Sequence, residues 1–200
     1  MNRREVLQRT ALTLGYALSA PLATAILNGC KAKPELTFAP KFLNEDLARL
    51  VAAISETIIP KTDTPGAIEA GVPGFIDDLL STVYSSDQQN NFIDGITKFA
   101  VEAKTALGKD FVDATPEEQL DFVRKKNEEV LSGSGGAASE GWWAAGAGKS
   151  KPFFLEIKEL TLGGFFTSEA GATQVLQYNQ VPGPFKGCVP LQQVGKAWAT

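Results

Sequence analysis

Two cysteines, Cys30 and Cys188, are the thiols this sequence offers for nucleophilic, redox or metal chemistry, and they stand far apart in a chain with no histidine at all. Histidine is the commonest metal ligand and the side chain best suited to general-base work near neutral pH. Its absence therefore removes whole classes of chemistry. A Ser-His-Asp or Cys-His nucleophile, a mixed Cys/His zinc site and a self-contained c-type haem all need it. Two thiols fall short of the four that hold an iron–sulfur cluster. Asp and Glu number 23, so a glycosidase-type carboxylate pair is open by composition, but no spacing singles a pair out. These residues predict a chain with no catalytic group, no metal ligand set and no cofactor of its own.

The first cysteine closes a leader. Residues 1–29 carry the adjacent Arg3 and Arg4, then an apolar run from Ala11 to Leu27 interrupted by Pro21. Asn2-Arg3-Arg4-Glu5-Val6-Leu7-Gln8 resembles a twin-arginine export signal, the route that moves chains already folded. The run is shorter than the roughly 20 apolar residues of a spanning helix and is broken by proline, which argues for a signal peptide over a permanent anchor. Two ends are open to it. Leu27-Asn28-Gly29-Cys30 resembles a lipoprotein box, whose cysteine becomes the lipidated first residue, although Asn28 is unusual there. Ala23-Thr24-Ala25 offers ordinary cleavage before Ile26. A lipid on Cys30 would need a second attachment for firm membrane residence.

The leader also biases the charge. It holds three arginines against one glutamate, so the whole-chain value of −4 becomes −6 for residues 30–200. An acidic domain without a basic stripe is no partner for nucleic acid, since neutralising phosphates takes clustered Lys and Arg. With 44% apolar and 21% charged residues, the remainder suits one globular domain with a hydrophobic core.

A linker at 30–43 precedes helical periodicity over 44–200. Asn44 caps a helix with Leu47, Leu50, Val51, Ile54 and Ile58 on one face, ended by Pro60. After a loop holding at most one helical turn, Pro73 opens a second helix that buries Phe75, Ile76, Leu79, Leu80 and Val83. Ser85-Ser86-Asp87 caps a third, striped by Phe92, Ile93, Ile96, Phe99, Ala100, Ala103 and Leu107 and stopped by Gly108. Thr115-Pro116-Glu117-Glu118 joins an N-cap, a first-turn proline and a third-position glutamate, and starts a helix to about Leu131 with Leu120, Val123, Val130 and Leu131 inward.

The Gly/Ser/Ala-rich loop at 132–150 cannot hold regular structure by itself. Its Trp142 and Trp143 either staple the loop to the core or anchor a partner. A last long helix begins near Pro152, turns Phe153, Phe154, Ile157, Leu160 and Thr161 inward, and runs into Gly163-Gly164. Beyond it, Ser168-Glu169-Ala170 can start a short helix before Tyr178 and the turn Val181-Pro182-Gly183-Pro184. Strand alternation is nearly absent. The fold class expected is all-α, a small helical domain with a long irregular C-terminal segment.

Four stretches carry a family resemblance in their order: AAISETIIPKTDTPGAIEAGVPGFID, TPEEQLDFV, FFLEIKELTLGGFFTSEAGA and YNQVPGPFKGCVPL. Together with the leader, they resemble the gluconate 2-dehydrogenase subunit 3 proteins. The resemblance implies a non-catalytic small subunit of a periplasmic, membrane-associated complex, exported by the twin-arginine route. Its implied partners are a large flavoprotein of the glucose-methanol-choline oxidoreductase type and a multihaem cytochrome c. FAD and haem c would then sit on those partners, and the flavoprotein would be carried across the membrane with this chain. Membrane association would come through the complex or a lipid anchor.

On that reading Phe165, Phe166, Tyr178 and Phe185 offer apolar area on an irregular segment suited to lie along the flavoprotein. Cys188 is a candidate for an intersubunit disulfide, because an unpaired thiol in an oxidising compartment seeks a mate. A Cys30–Cys188 bridge is the competitor. The alternative function is a stand-alone periplasmic ligand-binding lipoprotein that holds a sugar at the PKTDTPG loop or at Trp142-Trp143.

Overall fold

The computed structural model describes residues 36–133, 151–178, 180–181, 183–184 and 187–199. In chain order the described elements are helices α1 (Glu45–Ile58), α2 (Val72–Thr82) and α3 (Ser86–Leu107), a 3₁₀ turn (Phe111–Asp113), α4 (Pro116–Gly133), α5 (Phe153–Thr167), a π turn (Gly171–Val175) and a one-turn helix α6 (Leu191–Val194). No strand occurs among the described residues, and the expected all-α class holds.

The helix starts follow from local chemistry. The Asn44 side chain accepts from the Leu47 N–H at 2.8 Å. Ser85 and Gln88 form a reciprocal capping box, and so do Thr115 and Glu118, whose carboxylate takes the Thr115 N–H at 2.7 Å. Each cap satisfies backbone donors that the first turn leaves without partners.

α1 and α5 are the interior helices. α1 buries Ala48, Leu50, Val51, Ala52, Ala53, Ile54 and Ser55, a set that runs around most of its circumference, as a helix enclosed by neighbours must. α5 touches α1, α2, α3, α4 and the π turn. Where α1 meets α5, the buried hydroxyls of Ser55 and Thr161 hydrogen-bond to each other at 3.2 Å, so neither is stranded in the core. A second centre of packing is aromatic. Phe99 meets Phe111 and Phe122 edge to face at 5.4 and 5.3 Å, and Phe92 meets Phe153 in the same manner at 5.2 Å.

Two buried or inward carboxylates organise chain that has no regular structure. Asp77 on α2 is 1% exposed, and its oxygens accept from the backbone N–H groups of Lys41, Phe42 and Leu43 at 2.6, 3.2 and 2.8 Å. Such donors compensate the loss of water around the charge and pin the segment entering α1. Glu56 does the same for the loop after α1, accepting from Lys61 N–H at 3.0 Å and Ile68 N–H at 2.9 Å.

Several expected inward residues are not inward. Phe75 (40%), Val83 (71%), Leu120 (37%) and Leu131 (47%) are exposed. Val83 is the C-cap of α2 and Leu131 lies in the last turn of α4, past the packed part of each helix. The segment at 161–167 also departs from expectation. α5 continues through Gly163-Gly164 to Thr167, because Phe165 on that last turn is 2% exposed in the core. Gly164 sits against Phe75, whose Cδ1 would lie 2.7 Å from any added Cβ.

Candidate docking surface

The chain leaves the helical core through a tight junction. Ser168 follows α5, its hydroxyl donating to the Phe165 carbonyl at 2.6 Å and accepting from the Gly171 N–H at 3.0 Å. Gly171 opens the π turn with the Phe165 carbonyl oxygen 2.0 Å from where a Cβ would stand, a distance no side chain tolerates. Val175 still packs on the core. After it the chain forms a loop that closes on itself.

Gln177 makes that closure. Its backbone N–H donates to the Ala197 carbonyl at 2.9 Å and its carbonyl accepts from the Ala199 N–H at 2.8 Å, an isolated parallel bridge opposite Trp198. The Gln177 side-chain amide donates to the Val194 carbonyl at 2.7 Å and also to that of Lys196. Lys196 in turn donates through Nζ to the Gln174 carbonyl at 2.7 Å. One glutamine thus holds both ends of the loop. Gly183 and Gly195 take positive φ values, 72° and 73°, which the turns require and other residues resist.

The loop presents apolar and reactive groups outward. Tyr178 is 73% exposed, Val181 78% and Trp198 50%, and Cys188 carries a free, exposed thiol. Phe166, on the last turn of α5, is 40% exposed, whereas Phe165 is buried. Of the aromatic pair expected at a contact surface, only Phe166 therefore has area to offer; Phe165 faces the core because residue 165 is still helical and its side chain points at the interior. Arg3, Arg4, Cys30, Trp142, Trp143 and Phe185 lie outside the described residues.

A groove of about 1460 Å³ lies between α3, the end of α4 and α5, with Phe99, Phe153, Leu160 and Phe166 among the residues that line it. Tyr84, at the end of α2, donates its hydroxyl to Glu156 Oε1 at 2.9 Å within it. Burial raises the Glu156 carboxyl above its ordinary value, and burial, reinforced by the neighbouring Glu156 charge, also raises the Tyr84 phenol. A phenol raised this way stays protonated at neutral pH and donates to the carboxylate. Lys126 bridges Glu102 and Glu129 at 2.9 and 2.6 Å on the rim, and Lys151 pairs with Glu159.

Among the described residues no group of three His, Cys, Asp or Glu could hold a metal ion, and no helix is long and apolar enough to cross a membrane. At the PKTDTPG loop, which a sugar site would use, the polar groups are engaged within the chain: Glu56 binds the loop backbone, Lys61 pairs with Glu69 at 2.8 Å, and Thr62 hydrogen-bonds Asp63 at 3.0 Å. Sequence reasoning missed Asp77, Gln177 and the Tyr84–Glu156 pair. Each joins positions distant in the chain, so no local spacing announces it.

The family model for gluconate 2-dehydrogenase subunit 3 matches residues 45–183, from the first turn of α1 into the closed loop. No curated protein and no solved structure matches the chain. The match takes in all five long helices, the π turn and the Gln177 side of the clasp, and with that coverage the chain belongs to the gluconate 2-dehydrogenase subunit 3 family.

Proposed function

We propose that this chain is the non-catalytic small subunit of an exported, flavin-dependent sugar or sugar-acid dehydrogenase, serving export, assembly and stability of the catalytic subunit. Family membership makes it a subunit of a dehydrogenase complex. The observation that carries the finer reading is the C-terminal loop, which closes on Gln177 and presents Tyr178, Val181, Trp198 and the Cys188 thiol outward. Exposed aromatic and apolar side chains on such a loop offer contact area of the kind found at protein interfaces. In this reading the partner is a flavoprotein of the glucose-methanol-choline type carrying FAD, electrons pass to a multihaem cytochrome c, and the twin-arginine leader at Arg3-Arg4 moves the folded pair to the periplasm. The complex, or a lipid on Cys30, holds it at the membrane.

A C-terminally tagged chain, isolated from the exported fraction under non-reducing conditions, tests this. A large yellow flavin-containing chain should accompany it, be released by reductant, and lose its covalent link in Cys188→Ser. A colourless chain recovered alone would defeat the proposal, and so would full export and activity of the flavoprotein expressed without this subunit.

A further inference from the structure

Residues 36–43 form neither helix nor strand, yet they lie on the domain in a regular way. Leu36, Phe38, Pro40 and Phe42 are half-buried, while Thr37, Ala39 and Lys41 between them are exposed, the two-residue alternation of a chain laid along a surface. Leu36, Phe38 and Phe42 pack on the core, and Leu43 is part of it. α2 supplies the seat. Gly74 leaves room for the Phe38 ring, whose Cγ would lie 3.4 Å from an added Cβ. Asp77 accepts from three successive backbone N–H groups, those of Lys41, Phe42 and Leu43. Asp78 pairs with the Lys41 ammonium at 2.7 Å. We propose that residues 36–43 are a folding latch, a strap that closes onto α2 once that helix has formed and that opens without unfolding it.

The seat depends on helix geometry. Gly74, Asp77 and Asp78 stand at i, i+3 and i+4, so a helix brings them to one face and an unfolded chain does not. That face is separate from the one α2 turns to the interior: Val72, Ile76 and Leu80, fully buried, centre on nearly the opposite side at 3.6 residues per turn. The strap can therefore lift while the inner face of α2 keeps its packing. The join is also chemically specific. Asp77 is 1% exposed, and a carboxylate so deep is tolerated because donors surround it; those donors come from the strap, 34 to 36 residues away in sequence. With no regular structure of its own, the strap takes its path from α2. Under the proposed export role, on which this one consequence rests, the latch sets an element that reports folding next to the leader, for a route that moves folded chains.

The Lys41–Phe42 bond lies inside the latch and is a trypsin site, so its cleavage reads the open state. In the purified full chain, Phe38→Ala removes the strap's aromatic anchor. Asp77→Asn removes the charge and turns one acceptor into a donor that faces N–H groups. Fragments beginning at Phe42, followed by mass spectrometry, should appear roughly tenfold faster in each variant than in the unaltered chain. Helical circular dichroism and cleavage after Lys104 in α3 and Lys125 in α4 should stay as they are. Phe38→Ala decides the matter even where Asp77→Asn does not fold, because Phe38 lies outside every helix. A Lys41–Phe42 bond cut no faster in Phe38→Ala than in the unaltered chain would overturn the proposal. Equal acceleration after Lys104 and Lys125 would also overturn it, by making the strap one unit with the core. Neither result depends on export, which the capture of a flavoprotein tests separately.

Discussion

The helical core and the C-terminal loop are held by different forces. From α1 to α5 the structure rests on burial: Ile54, Ile76, Leu80, Phe92, Ile96 and Ile157 have no exposure, and the fully buried polar residues described there, Asp77, Ser55 and Thr161, are hydrogen-bonded, while the buried Nε of Arg49 has no partner among the described residues. Among the described residues from Leu176 onward none is buried, and hydrogen bonds converge on Gln177. A packed core unfolds as a unit, whereas a loop held by exposed hydrogen bonds opens locally at small cost. That contrast suits a division of labour in which the core is a platform and the loop is the part that meets something else.

The largest test of the contrast is Ile54→Ala. Ile54 lies at the centre of α1 with no exposure, and truncating such a side chain removes about 2–5 kcal/mol through lost transfer energy and the cavity left behind. Denaturant unfolding should show that loss as a lowered midpoint with unchanged slope, and amide exchange should accelerate in all five helices together. A loss below about 0.5 kcal/mol would mean that the core is not the cooperative unit its burial suggests.

Gln177→Ala should behave in the opposite way. It removes the side-chain amide bonds to Val194 and Lys196, and each exposed hydrogen bond contributes only about 0.5–1.5 kcal/mol. Global stability should move by less than about 1 kcal/mol, because the core loses no packing. Amide exchange from Gln177 to Ala199 should rise sharply, and the proposed capture of a flavoprotein partner should weaken while the helices stay intact. Equal loss of protection in core and loop would erase the distinction between them.

Sequence reasoning found these two regions unevenly, and the reason is range. Asn44, Ser85 and the Thr115–Glu118 box were legible because a cap is satisfied within three residues, and the stripes of α1 and α3 because burial follows the helical period. The C-terminal end of α5 was not. Gly163-Gly164 signals a stop by propensity, but Phe165 in the core and Phe75 against Gly164 carry the helix one turn further. Phe165 consequently passes from the docking surface to the interior, and only Phe166, Tyr178 and Cys188 of the described candidates keep outward positions. The clasp was invisible for the same reason: Gln177 and its partners at 194–199 form a pairing across a loop, which no periodicity encodes.

The smallest expected effect separates two partly exposed carboxylates by the sign of their response to pH. Glu118 is held down to about 2, first by its hydrogen bond to Lys109 and then by the Thr115 backbone N–H. Its folded-state value lies below the unfolded one of 4.5, so its contribution is complete above that value and disappears as pH falls towards about 2. Glu156 runs the other way. Burial raises it, against the opposing pull of the Tyr84 hydrogen bond, so the folded state holds the proton more tightly than the unfolded state. Stability then declines as pH rises from 4.5 through the raised value. Glu156→Gln, which keeps an oxygen for the Tyr84 hydroxyl, should abolish that decline, and Glu118→Gln should flatten only the acid limb below 4.5. Urea midpoints measured from pH 2 to 8 resolve the two. If Glu156→Gln left the profile above 4.5 unchanged, the groove wall would be open to water and the carboxylate solvated, and the apolar character that sets this side of α5 apart from the solvated loop would be lost.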